Sequence, residues 1–171
     1  MFFIDTKGTL CYNYHIYFKK RGEPCLTTVI KHFDELTTRE LYMILRARAE
    51  VFVVEQSCVY QDLDGVDADA LHVYTEDEGG LCAYLRLFMK DPAARSAQIG
   101  RVLTLRRGCG LGMSILLEGI RAAREMLPAD EVCIEAQVYA VGFYEKAGFC
   151  TVSEEFLEDG IPHVRMTMHL N

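Results

Sequence analysis

Ile99-Gly100-Arg101-Val102-Leu103-Thr104-Leu105 is followed closely by Arg107-Gly108-Cys109-Gly110-Leu111-Gly112, and then by a long amphipathic stretch. A strand that passes through a glycine-rich turn into a helix presents the helix's first amides, at an end carrying about half a positive charge. The chemistry on offer is the seating of a pyrophosphate. Gly108, Gly110 and Gly112 let phosphate oxygens approach the main chain without a Cβ in the way. A Walker A loop needs Lys-Ser/Thr after the glycines, and Met113-Ser114 stands there instead. The dinucleotide fingerprint G-x-G-x-x-G is not met by the G-x-G-x-G spacing. A plain strand-to-helix connection is the bland alternative. Cys109, in the turn, reads first as a residue small enough to fit and second as a reactive thiol. Asp62-Leu63-Asp64-Gly65 faintly suggests a calcium loop. Its glycine, however, is fourth rather than sixth, and Val73 stands where the bidentate Glu belongs, so calcium is rejected and no metal is expected.

The elements around this turn follow from composition and period. The chain has 171 residues, half of them apolar and a quarter charged, so one domain that buries roughly 70% of its unfolded surface needs no staple. A net charge of −7 argues against duplex nucleic acid and favours a small, cationic ligand. No apolar run approaches a membrane span, and no signal peptide is legible. The seven scattered cysteines, without a C-x-x-C pair, read as free thiols of a reducing cytoplasm. Residues 1–27 read as an extension, either unstructured or a hairpin of Thr9–Phe18 with Cys25–Phe33 across Arg21-Gly22-Glu23-Pro24; residues 28–171 form the domain. Thr37-Thr38-Arg39-Glu40 fits a capping box, followed by a helical face of Leu41, Ile44, Leu45, Arg48 and Phe52. A buried Arg48 needs a carboxylate partner or a ligand. Leu71–Thr75, Leu81–Phe88, Ile99–Leu105, Glu131–Ala136, Phe149–Leu157 and Ile161–Leu170 read as strands. Of these, Leu81–Phe88 is apolar enough to be covered on both faces. Leu111–Leu127 is the clearest helix, with a core stripe of Leu116, Ile120, Ala123 and Leu127. Val138–Ala147 is a shorter helix closed by Gly148.

Arg107, Gly110 and Gly112 spell R-x-x-G-x-G, and Phe143-Tyr144-Glu145-Lys146-Ala147-Gly148-Phe149 follows at a suitable distance. Together they resemble the pyrophosphate loop and the late helix–strand signature of the GNAT N-acetyltransferase superfamily. Lys31–Thr37, Arg48–Gln56, Tyr60–Asp67 and Glu158–His163 further resemble its ElaA-type branch. The likeness runs from about Thr28 to the C-terminus. Between Val102 and Arg107 the chain is about two residues shorter than the family's usual connection, so the turn is tighter. The resemblance implies an α/β fold: a twisted mixed sheet of six or seven strands flanked by about four helices. Its parallel strands Ile99–Leu105 and Glu131–Ala136 would splay to admit the cofactor.

It also implies acetyl-CoA as acyl donor and a small-molecule amine or exposed amino group as acceptor, and it leaves room for a homodimer. The backbone of Val102, Leu103 and Thr104 would pair with the pantetheine arm. Arg107, Gly108, Cys109, Gly110, Leu111 and Gly112 would hold the pyrophosphate. Tyr144 would be the general acid, against the reading of a core tyrosine. An alkyl ammonium must lose a proton before it attacks. His72 is the leading base by residue type, followed by His163, Glu55 and Glu135, with a water chain as the alternative. Arg48, Glu55, Gln56, Gln137 and His163 are candidate acceptor contacts. Arg48 and Arg86 read alternatively as ion-pair partners of Asp62 or Asp64. Two competing functions are an acyl-homoserine-lactone-synthase-like acyltransferase and a non-catalytic CoA-binding module.

Overall fold

The computed structural model describes residues 3–4, 10–11, 16–18, 26–57 and 60–170. In the N-terminal part, β1 (Phe3–Ile4) pairs with β2 (Leu10–Cys11), and β3 (Ile16–Phe18) pairs antiparallel with β4 (Leu26–His32). The turn expected at residues 21–24 lies outside the described residues. Further along come α1 (Thr38–Arg48), a π-helical turn (Ala49–Glu55), β5 (Leu71–Asp77), β6 (Gly80–Asp91) and β7 (Ser96–Thr104). The chain continues with α2 (Leu111–Met126), β8 (Glu131–Gln137), α3 (Val141–Glu145), β9 (Cys150–Thr151), β10 (Phe156–Glu158) and β11 (Ile161–His169).

The sheet runs β10-β11-β8-β7-β6-β5-β4-β3, with β9 paired to β11. It is mixed: β7 and β8 are parallel and their neighbours antiparallel. Among the described residues this sheet has nine strands, where six or seven were expected. One reason is that the expected strand Phe149–Leu157 is split: the polar run Ser153-Glu154-Glu155 leaves the ladder between β9 and β10.

The strand pleat divides the core between two faces. Leu71 and Val73 of β5 and Leu85 and Leu87 of β6 pack with Ile115, Leu116 and Ile120 of α2. Tyr74 and Tyr84 of the same strands pack with Ile44 and Ala47 of α1. Residues 82–87 of β6 are all buried, as a strand covered on both faces requires. Among the described residues, no helix is long and apolar enough to cross a membrane.

The entry to α1 uses its local sequence as expected. Thr37 Oγ1 accepts from the Glu40 amide at 3.2 Å, and Glu40 Oε2 accepts from the Thr37 amide at 2.8 Å. Glu40 also accepts from Lys31 at 2.7 Å and from the Tyr74 hydroxyl. Burial pushes the Glu40 carboxyl up, but Lys31, Tyr74 and Thr37 outweigh it and hold it at about 2. Asp64 is likewise held at about 2, where Arg86 and its other partners outweigh burial. Both folded values lie below the unfolded ones, so this stability is complete above about pH 5 and is lost as pH falls toward 2. Each group contributes on the order of 2 kcal/mol. The urea midpoint should hold from pH 7 to about 5 and fall steeply by pH 3. A midpoint still level at pH 3 would contradict this.

Candidate active site

The parallel pairing of β7 with β8 is short. Ser96, Ala97 and Gln98 lie opposite Glu131, Val132 and Cys133, and there the ladder ends, although β7 continues to Thr104 and β8 to Gln137. The cause lies on the other side of β7. Gly100 pairs with Arg86 and Leu103 with Tyr84, so three steps on β7 face two on β6. This is a bulge, and Arg101 within it has φ +53°. A bulge bends its strand and increases the local twist. The strain at a non-glycine residue is offset by anchoring. The Arg101 guanidinium reaches Asp62 at 2.7 Å and Asp64 at 3.2 Å, and lies 5.3 Å from the Tyr60 ring centroid. The parted strands open a cleft of about 430 Å³. The β8-facing edge of residues 99–104 is left without a strand partner among the described residues.

At its end β7 enters the glycine turn. The Leu105 amide donates to Cys82, and the chain then reaches Gly110, the N-cap of α2. Gly108 and Gly110 have φ of +77° and +81°. A Cβ on either would meet nothing within 4 Å, so backbone conformation rather than packing selects glycine. The Ser114 amide donates to the Gly110 carbonyl. The amides of residues 111–113 precede the first intrahelical bond and stand at the positive end of a 16-residue helix. Arg107 projects from this turn and pairs with Glu55 at the end of the π-helical turn. Glu55 therefore faces the glycine turn and is not part of the cleft lining.

Beside the bulge lies an ion-pair network of three arginines and three aspartates. Arg48 binds Asp62 at 2.9 Å and Asp67 at 2.6 Å, and Arg86 binds Asp64 at 2.6 Å and Asp67 at 3.0 Å. Arg101 completes it. This corrects the expectation of Arg48 as an acceptor contact: its side chain is fully buried and spent on Asp62 and Asp67. The ion-pair reading of Arg48 and Arg86 holds. Asp67 and Arg101 are members that the sequence reading did not single out. Arg86 borders the cleft, and its Nε is buried with no hydrogen-bond partner among the described residues.

His72 is also corrected. It is fully buried and absent from the cleft wall. Its Nε2 lies 3.0 Å from the Asp67 carbonyl, which can only accept, so Nε2 carries the proton. Nδ1 then accepts from the Tyr84 hydroxyl at 2.9 Å. Neither nitrogen is left to take a proton, and burial lowers the pKa further. Glu135 borders the cleft but accepts from Lys90 and from Gln98, each at 2.9 Å. Burial raises its pKa, and these partners more than reverse that, which makes it a poor base.

The remaining acceptor candidates and the candidate acid converge, with Val102 beside them. Gln56, Gln137, His163, Val102 and Tyr144 all line the cleft. Gln137 Nε2 lies 3.4 Å from Gln56 Oε1. Tyr144, on α3, packs edge-on to Phe143 and Phe149 at 5.0 and 6.1 Å. Its hydroxyl has no hydrogen-bond partner among the described residues, and burial, with Tyr139 nearby, raises its pKa. The phenol stays protonated at neutral pH.

Relatives carry the same architecture. The LasI acyl-homoserine-lactone synthase structure has a TM-score of 0.72, but at 13% identity, over 87% of this chain and 92% of that one, the likeness reaches the fold alone. An acyl-CoA N-acyltransferase from Pseudomonas aeruginosa has a TM-score of 0.78 and 40% identity, covering 83% of this chain and 98% of that one. ElaA of Escherichia coli is 37% identical over 139 residues, which are 79% of this chain and 91% of that protein. The family model for the acetyltransferase (GNAT) domain matches residues 46–170. The chain belongs to the GNAT acetyltransferase family, in its ElaA-type branch, and is an acyltransferase.

Proposed function

We propose that the protein transfers the acetyl group of acetyl-CoA to the amino group of a small-molecule amine. The observation that carries this reading is the separation of β7 from β8 beyond Gln98 and Cys133, at a strand that runs on into the Gly108–Gly112 turn. An extended pantetheine arm fits the open edge of β7 at Val102, Leu103 and Thr104 as an added strand. The amides after Gly110, together with Arg107, suit the pyrophosphate. Arg107 would then exchange Glu55 for phosphate oxygens. A β7 amide at the cleft is placed to receive the developing oxyanion, an interaction worth about 3–4 kcal/mol in comparable sites. Tyr144 supplies the proton that the departing thiolate needs. The amides of Gln56 and Gln137 offer polar contacts to the acceptor. The scattered cysteines, with Cys82, Cys109, Cys133 and Cys150 free, support a cytoplasmic setting.

Titration calorimetry with CoA, followed by free-thiol release from acetyl-CoA across a panel of amines, tests the proposal. CoA at about 100 times its Kd should raise stability by about 2.7 kcal/mol, and at least one amine should accelerate thiol release. Absence of both heat and thermal protection would remove the donor assignment. Tight binding without amine-dependent release would leave a CoA-binding module. Turnover only with acyl-carrier protein would favour the lactone-synthase type of chemistry.

A further inference from the structure

We infer that His163 is the general base of this reaction, held in the tautomer that presents an unprotonated Nε2 to the acceptor. The inference rests on the acetyl-transfer reading above. His163 lies on β11 directly opposite Gln137, the last residue of β8, where the chain turns toward the segment that carries Tyr144. All three residues line the cleft. Nδ1 of His163 is 2.8 Å from the Ile161 carbonyl. A carbonyl accepts only, so Nδ1 carries the hydrogen and Nε2 keeps its lone pair. No described residue occupies Nε2. The residue is 8% exposed, and its ring stacks on Phe156, with centroids 6.2 Å apart and planes at 26°. Orientation and tautomer are therefore set before an acceptor arrives. His72 is the internal contrast, a histidine with both nitrogens spent.

The charged and titratable groups around this wall are Glu158 and Asp159 of the β10–β11 turn, Glu135 of β8, Tyr60, Tyr139 and Tyr144, and Asp64 with its partners Arg86 and Arg101. Asp64 is neutralised by Arg86 and Arg101. Glu135 is engaged by Lys90 and Gln98. The step balances as follows. An ammonium N–H bond breaks and its proton passes to Nε2. The freed nitrogen pair forms a bond to the thioester carbonyl carbon. The C–S bond breaks, sulfur takes the Tyr144 proton, and the second proton on nitrogen restores the phenol. The products are an amide, a free thiol and one proton, which His163 releases to water.

The test compares the pH dependence of kcat/KM in the wild type and in His163→Asn. The asparagine amide can occupy the Nδ1 position and keep the bond to Ile161, while offering no base. The wild type should show an acid limb, losing activity as pH falls. The variant should be about 100-fold slower at pH 7, without that limb, its rate instead climbing about tenfold per pH unit toward the amine's own pKa. Calorimetric affinity for acetyl-CoA should be unchanged. Nitrogen NMR of the wild type at neutral pH should place the His163 proton on Nδ1, a readout independent of the variant's folding. A variant that keeps the wild-type rate and limb, or a proton found on Nε2, overturns the assignment while the acetyltransferase reading stands. A wild type that binds acetyl-CoA but acetylates no amine overturns both.

Discussion

Asp67→Ala should destabilise the fold by about 3–5 kcal/mol, a large part of the 5–15 kcal/mol typical of a domain. One oxygen, Asp67 Oδ1, accepts from Arg48 at 2.6 Å and from Arg86 at 3.0 Å. Burial raises the Asp67 pKa, but the two guanidiniums outweigh it and keep the group ionised. Alanine would leave a fully buried Arg48 with only Asp62, and Arg86 with only Asp64. Removing one partner of a buried ion pair is far worse than removing both, because a desolvated charge is left behind. Arg48→Met combined with Asp67→Leu should therefore cost less than Asp67→Ala alone. Urea denaturation of the single and double variants checks the ordering, and a loss below about 1 kcal/mol for Asp67→Ala would contradict it. The effect extends to function because Asp62 and Asp64 are shared with Arg101, whose left-handed backbone forms the bulge that parts β7 from β8.

What could be read from the sequence, and what could not, divides along the range of the interactions. The capping box at Thr37, the α2 stripe, the two-sided burial of β6 and the glycine turn are local patterns, and each appears in the structure. The Arg–Asp network was half legible: a buried arginine on a helix face demands a carboxylate, but four aspartates lie between residues 61 and 69. Two of them turn inward onto Arg48, Asp62 and Asp67, and Gly65, with φ of +83°, starts the tight 3-10 turn that buries Asp67. His72 ranked ahead of His163 by residue type, and the structure buries it with both nitrogens engaged. Residue type supplies a titration range, but only the neighbouring carbonyls assign the tautomer. The helical face through Phe52 was correct in sense but not in geometry. The chain there widens to a π turn, with the Gln56 amide donating to Val51, and this stretch brings Phe52 and Gln56 to the cleft. Arg101 had no signal beyond its place after Gly100, since a bulge depends on the neighbouring strand's register.

Tyr144→Phe should lower kcat by 100-fold or more while leaving acetyl-CoA affinity within about twofold, because general acid catalysis contributes about 10²–10⁴. The substitution removes one oxygen. The edge-on contacts of the ring with Phe143 and Phe149 are retained, so the fold should be unaffected. The hydroxyl has no hydrogen-bond partner among the described residues, so its removal orphans none of them. A tyrosine that only packed would therefore tolerate phenylalanine with little change in either stability or rate. Catalysis separates the two roles. With burial raising its pKa, the phenol keeps its proton at neutral pH, as the proposed acid must. Without it, the thiolate must leave unprotonated or take its proton from water. The defect should therefore shrink with a synthetic thioester whose thiol is more acidic, since such a leaving group needs less help. A Tyr144→Phe enzyme with wild-type kcat toward acetyl-CoA would return the residue to the core. A defect of equal size for all leaving groups would make Tyr144 a positioning residue rather than the acid.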